Sequence, residues 1–332
     1  MTRQFPTRRA VLATGVAGLG VFAGGVLSRP ARSKTAVTLQ LSWLHSVQFA
    51  GSYIALRNGW WRERGLDVSL APGGPNAPVE PPVVAGNALV GISAADYTAA
   101  AVAQGAPFKI IAVAMQKNPF VIASLPGSPV HSPADLPGKR LGMAIANTPV
   151  LRALCTLNDV DMDLIEIVPT QYSATPLLAG EVDCLLCWET DLPVAMAMQG
   201  VESVTMLMAD HGYALHSQTY IATENSLATR RAELVALLAG EVQGWDAYRA
   251  DTDAAAELTV EMFPDAGLDL ATQKLQAARQ VPLMFSDLTD RQGFGWWTDT
   301  AVAENIETLA LLGQTVTPDL WDRSILEEVH GS

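Results

Sequence analysis

The chain is poor in cysteine, histidine and positive charge, and each scarcity closes off a class of function. Three cysteines, Cys155, Cys184 and Cys187, cannot make a disulfide framework. The Cys184-Leu-Leu-Cys187 spacing would suit a redox pair in a loop. Residues 182–188 instead read as a buried strand, where side chains three apart face opposite sides. The five histidines, His45, His131, His211, His216 and His330, include no pair three or four apart, so no helical metal site is expected. Beyond residue 33 there is no Gly-x-Ser-x-Gly elbow, no Walker loop and no dinucleotide fingerprint, and the residues themselves call for no cofactor.

Lysine and arginine number 21 against 34 aspartates and glutamates. Five of the 21 lie within residues 1–33, which hold no acid, leaving 16 against 34 and a formal charge of −18 for the rest. Such a surface repels nucleic acid and anionic membranes, which leaves small molecules and other proteins as expected partners. The 49% of apolar residues can fill a large core, and a chain of this length usually divides in two.

Residues 1–33 enclose an apolar run from Ala10 to Leu27 behind basic residues, the layout of an export signal. Thr7-Arg8-Arg9-Ala10-Val11-Leu12 fits the twin-arginine version, and Ala31-Arg32-Ser33 offers a small-x-small cleavage site. A periplasmic protein exported by that route is expected, its mature chain starting near Lys34.

Past that point β-branched apolar runs alternate with helical patterns, which predicts α/β architecture with parallel strands. The expected strands are 37–41, 67–71, 88–92, 108–115, 120–124, 140–144, 164–168, 183–188, 203–208 and 218–223. Ser132-Pro133, Thr148-Pro149 and Thr175-Pro176 mark helix starts. From Asn225 onward helical periodicity takes over, at 227–248, 252–262, 271–281 and 293–312. Gln116-Lys117-Asn118-Pro119 separates two apolar strands with no room for a helix, and 212–218 precedes another strand. Both read as crossings between two lobes. The expected organisation is signal peptide 1–33, lobe one from 34–117 plus 219–332, and lobe two from 118–218. The cleft then lies at the strand C-termini.

Candidate binding residues follow from those strand ends. Trp43, His45, Gln48 and Phe49 come after the first strand, and Gly51 is expected to admit close backbone approach there. An indole, an imidazole and an amide supply the stacking face and in-plane partners that a planar heterocycle needs. Ser93, Asp96 and Tyr97 follow the third strand, with helix capping the alternative role for Ser93 and Asp96. Gln116 stands at the first crossing, and Asn147 opens a helix with free amides. Trp188 and Glu189 end a buried strand and could close a sandwich opposite Trp43. Trp60 and Trp61 read as a helix end packed inward.

The run Trp43-x-x-x-x-Gln48-Phe49-Ala50-Gly51-x-Tyr53-x-Ala55, followed by Gly59-Trp60-Trp61-x-x-x-Gly65-Leu66-Asp67-Val68, resembles the substrate-binding proteins of ABC importers related to the fungal thiamine-pyrimidine synthases. Pro72-Gly-Gly-Pro75, Gln104-Gly105-x-Pro107, Asp135-Leu136-x-Gly138-Lys139-Arg140 and Gly180-x-Val182-Asp183 extend the resemblance over roughly residues 37–200. The resemblance implies a type II periplasmic binding protein with a helical C-terminal layer. It further implies a monomer that hands its ligand to an ABC permease, with a thiamine pyrimidine precursor as ligand. Riboflavin, nitrate and sulfonates are ligands of relatives and remain alternatives. No arginine stands at an expected strand end, which disfavours the small anions. An enzyme on the same scaffold, a pyrimidine-precursor synthase or a hydrolase, is the competing class. The export signal and the missing first-loop cysteine oppose it.

Overall fold

Ile110–Met115 and Ser217–Thr223 are buried at every position, and a segment buried on both faces must sit inside a sheet that is covered on both sides. The computed structural model describes residues 34–75 and 77–331; the expected signal segment 1–33 lies outside the described residues. The ten strands are β1 (Thr35–Gln40), β2 (Leu66–Ala71), β3 (Val90–Ala94), β4 (Phe108–Met115), β5 (Phe120–Ser124), β6 (Arg140–Met143), β7 (Glu166–Pro169), β8 (Cys184–Trp188), β9 (Val204–Leu207) and β10 (Ser217–Thr223). Each expected strand is present, with ends displaced by two residues or fewer.

The strands form two five-stranded sheets, ordered β2-β1-β3-β10-β4 and β7-β6-β8-β5-β9. The two orders are the same pattern. In each, one strand arriving from the other sheet is inserted beside the third strand. The sheets are mixed rather than wholly parallel, because β10 runs antiparallel to β3 and β4, and β5 antiparallel to β8 and β9. Chain connectivity explains the reversal. Four residues join β4 to β5, too few to return to the far edge of the next sheet, so β5 enters from the end at which its neighbours finish. β10 enters its sheet likewise after β9. Consequently the C-terminal ends of β1, β2, β3 and β4 and the start of β10 share one end of their sheet, and the C-terminal ends of β6, β7, β8 and β9 share an end with the start of β5 in the other.

Those crossings are pinned to each other. Asn118 Nδ2 donates to the Leu215 carbonyl at 2.9 Å while its Oδ1 accepts from the Phe120 amide at 3.0 Å, and Lys117 pairs with Asp210 at 2.6 Å.

The helical tail begins with Glu224–Thr229 and continues through Arg231–Ala250, Thr252–Met262, Leu270–Met284, Asp287–Gln292, Asp299–Leu311 and Ser324–Gly331. Helix Arg231–Ala250 lies against helix Ala50–Asn58 at backbone contact. A Cβ on Gly244 would fall 2.0 Å from the Gly51 carbonyl oxygen, and one on Gly51 would fall 2.3 Å from the Trp245 ring. The close backbone approach expected at Gly51 is present, and the backbone that approaches is that of helix Arg231–Ala250. Trp61 is buried and donates its indole N–H to the Leu237 carbonyl at 2.9 Å. Cys184 and Cys187 point to opposite faces of β8, each into a different hydrophobic cluster. Among the described residues no helix is long and apolar enough to cross a membrane.

Candidate ligand-binding cleft

The segments that leave the parallel strands carry apolar side chains toward solvent on both sides of the cleft. Trp43 and Leu44 follow β1, Tyr97 follows β3, Ile145 follows β6 and Tyr172 follows β7, all between 46% and 67% exposed. These five are among the eleven large apolar side chains that the described residues expose, and their shared place after strand ends of both sheets makes them candidates for a contact surface. Trp188, half-buried at the end of β8, lies edge-on to Phe120 with ring centroids 6.2 Å apart, and Phe120 lies edge-on to Tyr213 at 6.3 Å. These three rings form an aromatic row from the end of β8 to the second crossing.

The structure sorts the sequence candidates. Trp43 and Tyr97 stand open at the mouth. Gln48 is half-buried and, with Thr190, Asp191, Gln276 and Gln280, lines a cavity of about 20 Å³, room for roughly one water. Asn147 is half-buried in the short turn Ile145–Asn147 that leads into helix Thr148–Leu157. Four others depart from the expectation. Phe49 has no exposed surface and supports the wall from within the core. His45 turns toward helix-bound partners, its ring stacked on Phe263 at 3.8 Å and Nδ1 3.1 Å from the Tyr53 hydroxyl, and burial lowers its pKa. Ser93 is buried and donates to Glu80. Gln116 gives its amide hydrogens to the Val113 and Trp296 carbonyls, so it braces the crossing.

Glu189 is held by a residue that the scan of strand ends could not reveal. Arg279, on helix Leu270–Met284, donates to Glu189 Oε1 at 2.7 Å; Glu189 Oε2 is buried without a partner. The same helix donates from Gln276 Nε2 to the Thr190 carbonyl at 3.0 Å and accepts from the Val47 amide through Gln273 Oε1 at 2.7 Å. One face of the tail helix thus touches the loop after β1 and the loop after β8 together. A second cavity, of about 220 Å³, lies behind this contact between Lys117, Glu189, Thr205, Arg279 and Pro282.

The electrostatics of the cleft are acidic. Burial pushes the Asp96 carboxyl up, with Glu80 adding to the shift against the pull of backbone amides. Burial likewise raises Asp191, against a 2.7 Å hydrogen bond from the Tyr172 hydroxyl. Arg279, which reaches this region, is paired with Glu189. Tyr172, Asp191 and Tyr213 were not singled out in the sequence, because each lies in a loop whose approach to the cleft depends on tertiary packing.

A family model described as NMT1/THI5 like matches residues 46–255. The riboflavin-binding protein RibY of Chloroflexus aurantiacus is 26% identical over 279 residues, covering 80% of this chain and 78% of that protein. Among solved structures, the periplasmic aliphatic sulphonate binding protein SsuA from Escherichia coli superposes with a TM-score of 0.65 at 15% identity, covering 85% of this chain and 92% of that one. The desulfurization enzyme DSZB superposes with a TM-score of 0.60 at 14% identity, covering 88% and 98%. At such identities the superpositions speak for the fold alone. The matching repeat of strand order in both sheets and the family match over residues 46–255 agree: the chain belongs to the NMT1/THI5-like family and has the two-lobed fold of type II periplasmic binding proteins.

Proposed function

We propose that this protein is the extracytoplasmic solute-binding component of an ABC importer, capturing a small planar nitrogen heterocycle between its two lobes. The carrying observation is the set of exposed apolar side chains that follow strand ends of both sheets, Trp43, Leu44 and Tyr97 in one and Ile145 and Tyr172 in the other. Flat apolar walls above buried polar groups are what a ring with hydrogen-bonding edges requires. The lobes are 34–117 with 219–332, and 118–218, and the paired crossings act as the hinge on which they close over the ligand. Export proceeds by the twin-arginine route, and the closed form delivers the ligand to a membrane permease.

A thiamine pyrimidine precursor is the ligand we favour, because the cleft's carboxyl groups suit amino hydrogens and Arg279 is engaged by Glu189. Riboflavin is the second reading, favoured by the similarity to the Chloroflexus protein. Catalysis by a cysteine nucleophile fits poorly. Burial pushes the Cys184 thiol up to about 12 and raises Cys155 and Cys187 as well, so none supplies a thiolate near neutral pH. The test is thermal melting with a panel of a hydroxymethyl-aminopyrimidine, riboflavin, taurine and nitrate. A heterocycle that binds the folded form at a hundred times its Kd should add about 2.7 kcal/mol of stability. A rise with the anions alone would overturn the reading.

A further inference from the structure

The mouth of the cleft is apolar, but its floor holds polar atoms that neither the walls nor the hinge uses. Asp96 lies in the first turn of helix Ala95–Ala103, and the Ala95 amide donates to the His216 carbonyl at 3.1 Å. That bond sets the helix start against the second crossing and the beginning of β10. Strand pairing places Ser217 across from Ala94 and Met115, and Thr219 across from Ser93 and Val113. Gln218 is left as the extra residue of a bulge at φ 48°, a conformation that a side-chain-bearing residue rarely adopts. Bulges and strained residues of this kind gather beside binding sites, where they aim a side chain that a regular strand would turn away.

The amide of Gln218 is 2% exposed, and neither Nε2 nor Oε1 has a partner. Asp96 Oδ1, Tyr213 OH and Thr219 Oγ1 are likewise buried and unpartnered. Burial, and after it the charge of Asp96, raises the Tyr213 phenol, and Tyr213 ends the aromatic row that begins at Trp188. Buried polar groups are ordinarily paired, so several orphaned atoms on one floor point to a partner that the chain does not itself supply.

We propose that Asp96, Gln218 and Tyr213 form a polar subsite for the amino-imine edge of a nitrogen heterocycle, with the carboxyl group and the ring sharing one proton. This rests on the reading of the cleft given above. In the neutral form the carboxyl O–H donates to the ring nitrogen while its carbonyl oxygen accepts from the exocyclic amino group. In the charged form the ring nitrogen holds the proton and the carboxylate accepts both hydrogens. The proton count is one in either case, so the pair forms without release or uptake when a neutral carboxyl meets a neutral ring. Gln218, a donor and an acceptor side by side, and the Tyr213 hydroxyl take the adjoining substituents. A flavin dione presents carbonyl acceptors on both sides of its N–H and matches the two-acceptor carboxylate poorly. A sulfonate offers no hydrogen at all and meets the acids Asp96 and Glu80.

The test is calorimetric titration of the full mature chain with three probes: 4-amino-5-hydroxymethyl-2-methylpyrimidine, its 4-oxo analogue and riboflavin. The proteins are the unaltered chain, Asp96→Asn, Asp96→Leu and Gln218→Met, each checked for folding by melting. The unaltered chain should prefer the amino over the oxo pyrimidine by about tenfold or more, since a site built for a hydrogen-bonding edge rejects a mismatched one. Asp96→Leu should lose about tenfold or more toward the aminopyrimidine and erase that preference, Asp96→Asn should retain part of it, and Gln218→Met should weaken binding of both pyrimidines. Pyrimidine or riboflavin binding that is unchanged in Asp96→Leu and Gln218→Met would overturn the subsite and leave the solute-binding reading standing. No binding of any of the three by the unaltered chain would instead overturn that reading, and the subsite with it.

Discussion

Glu241 has almost no exposed surface, yet Ser52 at 3.0 Å, Tyr220 at 2.6 Å and Trp245 at 3.0 Å all donate to its Oε2. Burial outweighs those donors and pushes the carboxyl from 4.5 to about 7. Below about pH 4.5 the group is protonated in the folded and unfolded chain alike and contributes no penalty. Between there and about pH 7 unfolding releases its proton, so stability falls as pH rises, and above pH 7 the full penalty, on the order of 3 kcal/mol, persists. The melting temperature should therefore decline from pH 5 to pH 8, and Glu241→Gln should flatten that decline; calorimetry across the range shows whether it does. Trp43 represents the opposite case, a large side chain that the fold leaves 46% exposed. Trp43→Ala should weaken ligand binding by about 1–3 kcal/mol while leaving the melting temperature of the free protein nearly unmoved. A large loss of stability in that variant would place Trp43 in the core instead. The indole was legible in the sequence because it follows a strand, whereas Gln218 was not. The bulge in β10 holds that amide buried without a partner, and nothing in the run Ser217-Gln218-Thr219 marks where a bulge falls.

Helix Arg231–Ala250 owes its seat to glycine. Because a Cβ on Gly244 would meet backbone rather than a movable side chain, Gly244→Ala should cost about 1–3 kcal/mol in a denaturant titration, through separation of the two helices. An unchanged midpoint would mean the helix tolerates displacement. Helix Leu270–Met284 has a different task, since Gln273, Gln276 and Arg279 tie the loop after β1 to the loop after β8. Arg279→Met removes one partner of a pair that solvent partly reaches. The contact of the tail helix with the loop after β8 should weaken by about 1 kcal/mol, and the free protein should show a larger radius of gyration in small-angle scattering. Identical scattering from both proteins would assign closure to other contacts. The strands themselves were readable from β-branched runs because burial on both faces leaves little choice of residue. Their direction was not, since the antiparallel entry of β5 and β10 follows from the length of a connection. The reach of Arg279 into the cleft was equally hidden, for it depends on where a helix of the tail comes to rest.

Two sheets with one strand exchanged between them, an acidic surface and an apolar cleft mouth make a protein suited to enclosing a ring. The hinge we propose rests on the same connectivity, because the chain passes between the two sheets only at the two crossings among the described strands. Asn118 and Lys117 hold the crossings side by side, so the proposed closure would be a rotation about a pinned pair. The central claim is capture of a planar nitrogen heterocycle, and calorimetric titration of the mature chain with 4-amino-5-hydroxymethyl-2-methylpyrimidine, riboflavin and taurine tests it most directly. Saturable one-to-one binding of a heterocycle, with a negative heat-capacity change as its faces are covered, is the predicted result. Binding of taurine with no response to either heterocycle would contradict it.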